Sequence, residues 1–348
     1  MKTGEIITGY FSKRKYLRII LIILIIIFWV WSELGDLKKI EEHDLNFKSL
    51  QEINNRYNGG DFSFAVMGDN KNSSIFDYII EKINQDDTLL FAVIGGDLVM
   101  YPTKETYQAF LNQWKNIQIP TLVLPGNHDV AFQNHYFYHT IFGRFYYSFT
   151  LGNSKFIMLD NSNEKNISDE QLFWLEEQLK NSQNLKYRFV FMHVPLWDPR
   201  DFDKGGVKFA HALKNPDFAR ELEDLFIKYN VTILFESHIH GFYTYTKRGL
   251  KHIITGGAGA ELKGTDPNSN FYHYIKVNVS NENISTEVVK IDKNVVLIGI
   301  KKYWNIAKLY FATLGKIYLK QIILVIFIIA LLVDMYFEYL FYKRKQNK

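Results

Sequence analysis

The sequence predicts an α/β fold with an apolar segment at each end of the chain. Short apolar runs with the length of buried strands alternate with segments in which apolar residues recur at helical spacing. Five of these predicted strands are followed directly by Asp, Asn or His residues. Ligands of open α/β sheets bind at the carboxyl ends of the strands, so the five polar clusters are expected to meet in one crevice.

Strands and helices alternate through the middle of the chain. Ile75, Ile79 and Ile83 recur at helical spacing behind Ser73 and Ser74, which are suited to cap a helix. Similar helices are predicted over residues 105–115, 169–179 and 217–229. The five strands that end in polar clusters are predicted over residues 62–67, 89–94, 121–124, 188–192 and 231–235. Four later strands, over residues 242–246, 252–255, 272–279 and 284–289, have no helices between them and are expected to form a second sheet.

The clusters at the strand ends consist of metal-binding residue types. Taken singly, Asp69 suits a strand-end cap, Asp97 a turn and His193 a buried core histidine. His238 and His240 point to the same side of an extended segment, which favours a shared role. Carboxylate, amide and imidazole groups together suit divalent cations, so the clusters jointly predict a metal-dependent site. They read Gly68-Asp69-Asn70, Gly96-Asp97, Gly126-Asn127-His128-Asp129, His193 and His238-Ile239-His240.

Length and charge set broad limits on the function. The 348 residues are enough for one large domain with extra segments, and the formal net charge is only +4. The cationic excess lies mainly near the two ends, in Lys13-Arg14-Lys15, Arg18 and Lys343-Arg344-Lys345, so no specific recognition of nucleic acid is expected. The chain has no cysteine, which excludes disulfides and thiolate metal ligands.

The N-terminal residues 1–35 are predicted to hold a basic cluster and a transmembrane helix. The apolar run from Ile19 to Trp31 has the length of a signal-peptide core, but no cleavage site of small residues follows it. Taken from Tyr16 to Leu34, with Arg18 reaching towards the interface, the segment is about 28 Å long as a helix. An uncleaved membrane anchor is therefore expected.

The C-terminal residues 317–342 are predicted to form a second transmembrane segment, followed by a basic tail over 343–348. Lys320 and Asp334 lie near its two ends, where both are able to reach the interface. A buried core helix is the alternative. Basic residues flank the outer side of both segments, so both termini are expected in the cytoplasm and the domain between them outside.

Two further segments connect these spans to the central domain over residues 61–292. Residues 36–60 are predicted to be a polar linker that closes at Asn58-Gly59-Gly60. Residues 293–316 carry apolar residues at spacings of three and four, with lysines between them. This amphipathic connector is expected either in the headgroup plane of a membrane or packed on the domain.

The clusters and their order resemble those of the calcineurin-like metallophosphoesterase superfamily, from about Phe62 to about Lys290. The resemblance implies a four-layer αββα sandwich of two mixed sheets and two divalent metal ions, which would be Mn, Fe or Zn. Asp69 and His240 would bind the first metal, and Asp97 would bridge both. Asn127, His193 and His238 would hold the second. His128 would be the unligated catalytic imidazole, with Asp129 orienting it.

One position departs from the family pattern. The first motif of the family reads Asp-x-His, whereas this chain reads Asp69-Asn70-Lys71, and a protonated lysine is not a metal ligand. Lys71 is either a solvated loop residue or a fixed cation at the site. Lys71, the adjacent Asn70, Arg200 and His211 are the candidate contacts of the substrate.

The expected activity is hydrolysis of phosphate mono- or diesters at a membrane surface, by a hydroxide that bridges the metals. A substrate associated with lipid or with the cell envelope would suit a two-pass protein of the cell membrane whose catalytic domain faces outwards. Two alternatives stay open. One is a metal-depleted binding module of the same fold, which the Lys71 departure permits; the other is a structural membrane protein whose two spans are its function.

Overall fold

The computed structural model describes most of the chain. The chain forms two compact units. One unit is Ile40–Ile306, and the other combines Met1–Lys39 with Ala307–Lys348. The described residues are 16, 18–27, 30, 42–201, 211–264, 266–291 and 295–346.

Eleven strands of the described residues form two mixed sheets. The first sheet has the order β11-β10-β1-β2-β3, in which β1, β2 and β3 are parallel and β10 and β11 are antiparallel to their neighbours. The second has the order β4-β5-β6-β7-β9-β8, with antiparallel pairs at its two edges. The strands are β1 (Phe62–Met67), β2 (Leu89–Ile94), β3 (Thr121–Val123), β4 (Tyr147–Leu151), β5 (Ser154–Met158), β6 (Tyr187–Phe191), β7 (Ile233–Glu236), β8 (Phe242–Lys247), β9 (Leu250–Thr255), β10 (His273–Val279) and β11 (Ile284–Lys290).

The helices follow the apolar periodicity of the sequence. A short apolar helix, α1, covers Arg18–Ile27. Four of the other helices lie where helices were predicted, and their ends differ from the predicted ends by no more than two residues. The remaining helices are α2 (Leu45–Arg56), α3 (Ile75–Asn84), α4 (Lys104–Trp114), α5 (Tyr136–Phe142), α6 (Asp169–Asn181), α7 (Pro216–Lys228) and α8 (Val295–Gln346).

Three apolar cores show that the domain has four layers. Alternate residues of β1 face opposite sides, so Phe64 packs between the two sheets while Ala65 packs under α3 and α4. Helices α6 and α7 cover the outer face of the second sheet. The ring of Phe64 lies 5.4 Å from the rings of both Phe156 and Phe189, which belong to the second sheet. This arrangement confirms the predicted αββα sandwich.

The late strands do not form a sheet of their own, which corrects the sequence-based expectation. Strands β8 and β9 join the second sheet, but β10 pairs with β1, with Phe62 opposite Val279. Strands β4 and β5, which the sequence analysis did not predict, complete the second sheet as a hairpin. Each sheet therefore contains strands from both halves of the domain.

Part of the predicted polar linker over residues 36–60 is the helix α2. Ile53 of this helix is fully buried. The amide side chain of Asn46 donates to the Val123 carbonyl at 3.1 Å and accepts from the Val123 N–H at 2.9 Å. Helix α2 is thus attached to β3, and its polar composition reflects the solvent-exposed face.

One helix of the described residues is long and apolar enough to cross a membrane. Helix α8 is continuous over 52 residues, and its segment Ile322–Phe341 has a mean hydropathy of 2.3 with no residue buried. The predicted connector over 293–316 is the first part of the same helix, apart from residues 293 and 294, which lie outside the described residues. At the N-terminus the apolar helix Arg18–Ile27 is shorter than a span, so the predicted N-terminal membrane helix is not confirmed.

Candidate active site

The five polar clusters lie together beyond the carboxyl ends of five strands. Asp69 follows β1, Asp97 follows β2, Asn127 follows β3, His193 follows β6 and His238 follows β7. Within each sheet the parallel strands end at the same edge, and the two sheets pack face to face. The site therefore draws ligands from both sheets, in agreement with the strand-end argument.

Three of these residues have backbones in the left-handed region. The φ angles of Asp69, Asp97 and His238 are 63°, 56° and 64°. Such a conformation costs a residue other than glycine about 1–3 kcal/mol and persists only where surrounding contacts fix it. Here the Asp69 N–H donates to the Gly96 carbonyl at 3.0 Å, and the His238 N–H donates to Asp69 Oδ2 at 2.8 Å. The turns that aim the side chains into the crevice are thus tied to each other.

Gly126 permits two of the loops to approach closely. A Cβ atom at this position would lie 2.3 Å from both the amide nitrogen and Oδ1 of Asp97, and 2.9 Å from Cε1 of His193. The amide nitrogen belongs to the backbone and cannot move aside. Glycine is therefore required here for steric reasons, which explains why it precedes Asn127.

Four ligand-type atoms converge around His193. Its Nε2 lies 3.2 Å from Asn127 Oδ1, 3.3 Å from His238 Nδ1 and 3.3 Å from Asp97 Oδ1. The Nδ1 atom lies 2.8 Å from the Gly95 carbonyl, and since a carbonyl only accepts, Nδ1 carries the proton. In the neutral form that a metal ligand requires, the Nε2 lone pair points at other acceptors, an arrangement that a cation among them would stabilise. Asp97, His193 and His238 form one of the two groups with spacing suited to a metal ion.

The electrostatics of this cluster also favour a cation. Burial opposes the charged form of His193, but the carboxylates of Asp97 and Asp69 outweigh it and raise the pKa to about 9. Burial and the neighbouring His193 lower the pKa of His238 to about 3. Two carboxylates thus attract positive charge to a site in which a second imidazolium is strongly disfavoured. Two imidazoles, an amide oxygen and a carboxylate suit a borderline divalent ion, so the residues fit the second metal site.

The atoms assigned to a first metal form a second group. Asp69 Oδ1 lies 3.5 Å from His240 Nε2, and Asp97 Oδ2 completes the set. Both carboxylate oxygens are buried without a directional hydrogen bond. Lys71 Nζ lies 2.9 Å from Asp97 Oδ2 and 3.2 Å from His240 Nε2. The contact with Asp97 is an ion pair by distance, although it lacks the directional geometry of a hydrogen bond. Burial lowers the pKa of Lys71, but the carboxylates of Asp97 and Asp69 raise it by more, so the pKa lies above its ordinary value.

Lys71 is therefore not a solvated loop lysine. Only 9% of the residue is exposed, and its ammonium group lies between ligand-type atoms. The alternative of a fixed cation at the site is the one that the geometry supports.

His128 lies beside the ligands and belongs to neither group. The backbone N–H of His128 donates to Asp97 Oδ1 at 3.0 Å, and the ring Nδ1 lies 2.8 Å from the Met100 carbonyl. That carbonyl fixes the proton on Nδ1, which leaves Nε2 to face a substrate. The ring of Tyr101 lies 6.4 Å from the ring of His128.

Asp129 acts on the backbone around the site. Its Oδ2 accepts from the Gly126 N–H at 2.8 Å, and its Oδ1 accepts from the N–H groups of Leu98 at 2.9 Å and Val99 at 3.2 Å. Burial and Asp97 raise the pKa of Asp129 to about 7. The group that orients His128 is thus the Met100 carbonyl, while Asp129 joins the two loops that carry Asp97 and His128.

The other candidate substrate contacts have different surroundings. The ring of His211 lies 5.8 Å from that of His238, which places it at the site. The guanidinium of Arg200 donates to Asp198 at 2.8 and 2.6 Å. The amide of Asn70 donates to the Leu98 carbonyl at 3.0 Å and supports the loop.

Sequence reasoning missed the backbone acceptors that orient the imidazoles. The carbonyls of Gly95, Met100 and Glu261 face Nδ1 of His193, His128 and His240 respectively. A backbone carbonyl is present at every residue and gives no signal in a sequence. Only the fold shows which ones are used.

Comparisons with known proteins agree with this geometry. A family model described as calcineurin-like phosphoesterase matches residues 62–242, just over half of the chain. Purple acid phosphatase 13 of Arabidopsis thaliana is 27% identical over 191 residues, which are 46% of this chain and 34% of the relative. The serine/threonine-protein phosphatase CPPED1 of Bos taurus is 26% identical over 208 residues, which are 54% of this chain and 64% of the relative. The chain thus spans between about a third and two-thirds of the length of these relatives.

Solved structures show the same fold. The purple acid phosphatase PPD1 of yellow lupin, Lupinus luteus, superimposes with a TM-score of 0.54 at 18% identity, covering 67% of this chain and 52% of that one. GAP50, the anchor in the inner membrane complex of Plasmodium, superimposes with a TM-score of 0.50 at 14% identity, covering 70% and 95%.

The family uses a dinuclear divalent metal centre, and this chain has two groups of residues with suitable spacing. Both groups lie at the strand ends that the resemblance indicated. The family model confirms the family that the motifs predicted, and the curated relatives are named as phosphatases. The chain belongs to the calcineurin-like phosphoesterase family.

Proposed function

We propose that this chain is a membrane-anchored phosphatase that uses at least one divalent ion, of Mn, Fe or Zn. Asp97, Asn127, His193 and His238 would hold that ion. The observation that carries the proposal is the convergence of their four ligand atoms around His193 Nε2, with separations of 3.1–3.3 Å. A divalent ion bound there polarises phosphoryl oxygens and lowers the pKa of a water molecule towards neutrality.

His128 is the proposed proton donor to the leaving alkoxide. The Met100 carbonyl holds the proton on Nδ1, and the Asp97 carboxylate holds the backbone N–H of the same residue. The ring is thereby fixed without any metal contact. To act as the donor it must be an imidazolium, whose Nδ1–H donates to Met100 while the Nε2 proton passes to the leaving alkoxide. Such a group typically contributes about 10²–10⁴-fold to the rate.

The proposed substrate is a phosphate ester associated with lipid or the cell envelope. The curated relatives are named as phosphatases, so a monoester is the first class to test and a diester the second. His211 and Lys71 are the proposed contacts of the phosphate, because both lie at the ligand cluster. Arg200 is a weaker candidate, since its guanidinium is bound to Asp198.

The proposed topology places both termini in the cytoplasm and the catalytic domain outside. An ion pair within the terminal unit supports the part of this proposal that puts both termini on the same side of the membrane. Arg18 Nε lies 2.7 Å from Asp334 Oδ2, and the same guanidinium contacts Glu338. Arg18 begins α1, whereas Asp334 and Glu338 lie near the end of α8, so the pair joins the outer ends of the two segments. Acidic groups within an apolar span are costly unless paired, and this arginine pairs with both.

Activity of the full-length chain, purified in detergent, tests the proposed chemistry. We expect Mn²⁺-dependent hydrolysis of p-nitrophenyl phosphate, and the assay should be repeated with the bis-p-nitrophenyl diester. His193→Ala should abolish the activity, because it removes the central ligand. His43→Ala is the matched control, since His43 is exposed and its ring is hydrogen-bonded to the Thr140 carbonyl, away from the ligand cluster. No hydrolysis by wild type with any of the three metals would favour the metal-depleted binding module.

Protease treatment of intact cells tests the topology. With an epitope tag at either terminus, we expect loss of the catalytic domain while the tags stay protected. A protected catalytic domain would place the enzyme on the cytoplasmic side and redirect the search to soluble esters and lipids of the inner leaflet.

A further inference from the structure

The ammonium group of Lys71 lies where the family's first metal would be bound. Its Nζ is 2.9 Å from Asp97 Oδ2 and 3.2 Å from His240 Nε2, and both atoms belong to the group assigned to that metal. We propose that Lys71 permanently takes the place of the first metal, so that this enzyme works with a single tightly bound divalent ion. The inference rests on the proposed function and specifies its cofactor.

The lone pair of His240 provides the first argument. His240 Nδ1 lies 2.7 Å from the Glu261 carbonyl, which only accepts, so the proton of the neutral ring is on Nδ1. Nε2 then has one lone pair, directed within the plane of the ring. It is able to accept an N–H of Lys71 or to bind a metal, but not both. In this structure Lys71 Nζ is the group at hydrogen-bond distance.

Distance provides the second argument. A metal bound by imidazole and carboxylate lies about 2.0–2.2 Å from each ligand atom, whereas an ammonium lies about 2.7–2.9 Å from a carboxylate oxygen. Asp97 Oδ2 and His240 Nε2 have Nζ at 2.9 and 3.2 Å. The space between these two ligand atoms is therefore taken by the ammonium, and the residues do not fit a first metal ion while Lys71 stays there.

The loop that carries Lys71 is held in place by the neighbouring loop over residues 97–100. The Lys71 N–H donates to the Asp97 carbonyl at 3.0 Å, and the next residue, Asn72, donates to the Leu98 carbonyl at 3.3 Å. The Asn72 side chain also accepts from the Met100 N–H at 3.2 Å. Lys71 itself has a left-handed backbone, with a φ of 43°. These bonds direct the side chain towards the ligand cluster, so the ammonium is part of the built site.

The charge of the site suits a phosphate when one divalent ion is bound. Asp69 and Asp97 are the carboxylates that face the two ligand groups. Together with Lys71 and one divalent ion they give a net charge of +1, which favours a phosphate anion. A second divalent ion would raise the net charge to +3 next to a buried ammonium. The lysine thus supplies a positive charge to a phosphate oxygen. In other members of the family the first metal supplies that charge.

Metal stoichiometry of the full-length protein tests this inference. The protein is purified in detergent, saturated with Mn²⁺ and analysed by elemental mass spectrometry and electron paramagnetic resonance. We expect about one ion per chain and the signal of an isolated Mn²⁺ in wild type. Lys71→His should bind about two ions with the signal of a spin-coupled pair. Lys71→Met should admit the second ion more weakly.

Two controls separate the effect of Lys71 from unrelated changes. Lys48→His adds a histidine in place of an exposed lysine of α2, and the stoichiometry should stay at about one. His193→Ala in the Lys71→His background should lose the ion of the second site. Lys71→Gln replaces Lys71→Met if the latter does not fold, and the wild-type stoichiometry alone still decides between one ion and two.

A spin-coupled pair in wild type would overturn the inference, as would a single ion in both Lys71→His and Lys71→Met. Wild-type turnover separates this result from the proposed function. An active wild type with two ions refutes the role of Lys71 and keeps the phosphatase. An inactive wild type with one ion keeps the role of Lys71 and refutes the phosphatase.

Discussion

Asp129 offers the sharpest test of how the two catalytic loops are held together. Its carboxylate is fully buried and accepts the N–H groups of Gly126, Leu98 and Val99. Asp129→Ala leaves three buried donors unpaired. At about 1–3 kcal/mol for each donor, the loss is about 3–9 kcal/mol. A loss of that size is comparable to the whole free energy of unfolding of a typical domain, about 5–15 kcal/mol.

Asp129→Asn is the informative variant because it removes only part of this network. The amide oxygen still accepts from Leu98 and Val99, but the amide NH₂ faces the Gly126 N–H and loses that bond. We expect destabilisation by about 1–3 kcal/mol. Urea unfolding of the full-length chain at about pH 8, above the pKa of about 7, measures it with the wild-type carboxylate ionised. A chelator is added, because bound metal would stabilise the folded state.

Turnover per folded molecule distinguishes this role from direct catalysis. If Asp129 acts through the backbone, Asp129→Asn should retain turnover within about tenfold of wild type, since the ring of His128 is oriented by Met100. Unchanged stability together with a 10²-fold or greater loss of turnover, about the effect of losing a general acid or base, would refute the reasoning.

Three further predictions concern other parts of the molecule. His128→Ala should lower turnover by about 10²–10⁴-fold while the metal content stays unchanged, and ion loss measured by elemental analysis would make His128 a ligand. His273 is fully buried, and burial lowers its pKa to about 4, so it folds as the neutral ring. Stability should therefore be complete above the unfolded pKa of about 6.5 and should fall by about 3 kcal/mol as the pH drops towards 4. Unfolding of wild type and His273→Gln at several pH values should show a slope that is smaller in the variant by about this amount, because His238 also has a lowered pKa and contributes to both proteins, and parallel curves would contradict the assignment. Arg18→Gln should reduce membrane-inserted protein, measured by carbonate extraction, and adding Asp334→Asn should restore part of it, because the second change removes a carboxylate left without its partner. No effect of Arg18→Gln on extraction would argue against the ion pair.

The local part of the fold was predictable from the sequence. Strands β1 and β2 are apolar runs of six residues, and their observed bounds agree with the predicted ones. The carboxyl ends of these strands then determine where Asp69 and Asp97 meet. Helices α3 and α7 carry their apolar residues at helical spacing, so their existence also followed from local pattern.

Long-range pairing was not predictable in the same way. The partner of β10 is β1, more than two hundred residues earlier, and no local pattern distinguishes this pairing from one with β9. The hairpin of β4 and β5 does carry a local sequence signal, because Gly152-Asn153 stands between the two strands, and Gly152 adopts a positive φ of 53° in the turn. In the site, the sequence showed that Lys71 breaks the family pattern. Only the fold shows where the ammonium lies, because that depends on the loop backbone and on the length of the side chain.

The attachment of Asn46 to β3 has a practical consequence for any soluble version of the enzyme. Strand β3 is the last strand of its sheet, and an uncovered edge strand is a template for pairing with another chain. The amide of Asn46 blocks the Val123 N–H and carbonyl on that edge. A truncation that removes the N-terminal apolar segment together with α2 would expose the Val123 N–H and promote aggregation, although Tyr138 and Tyr147 would still donate to the Val123 carbonyl. A cut placed before Leu45 would remove the apolar segment and keep the edge protected.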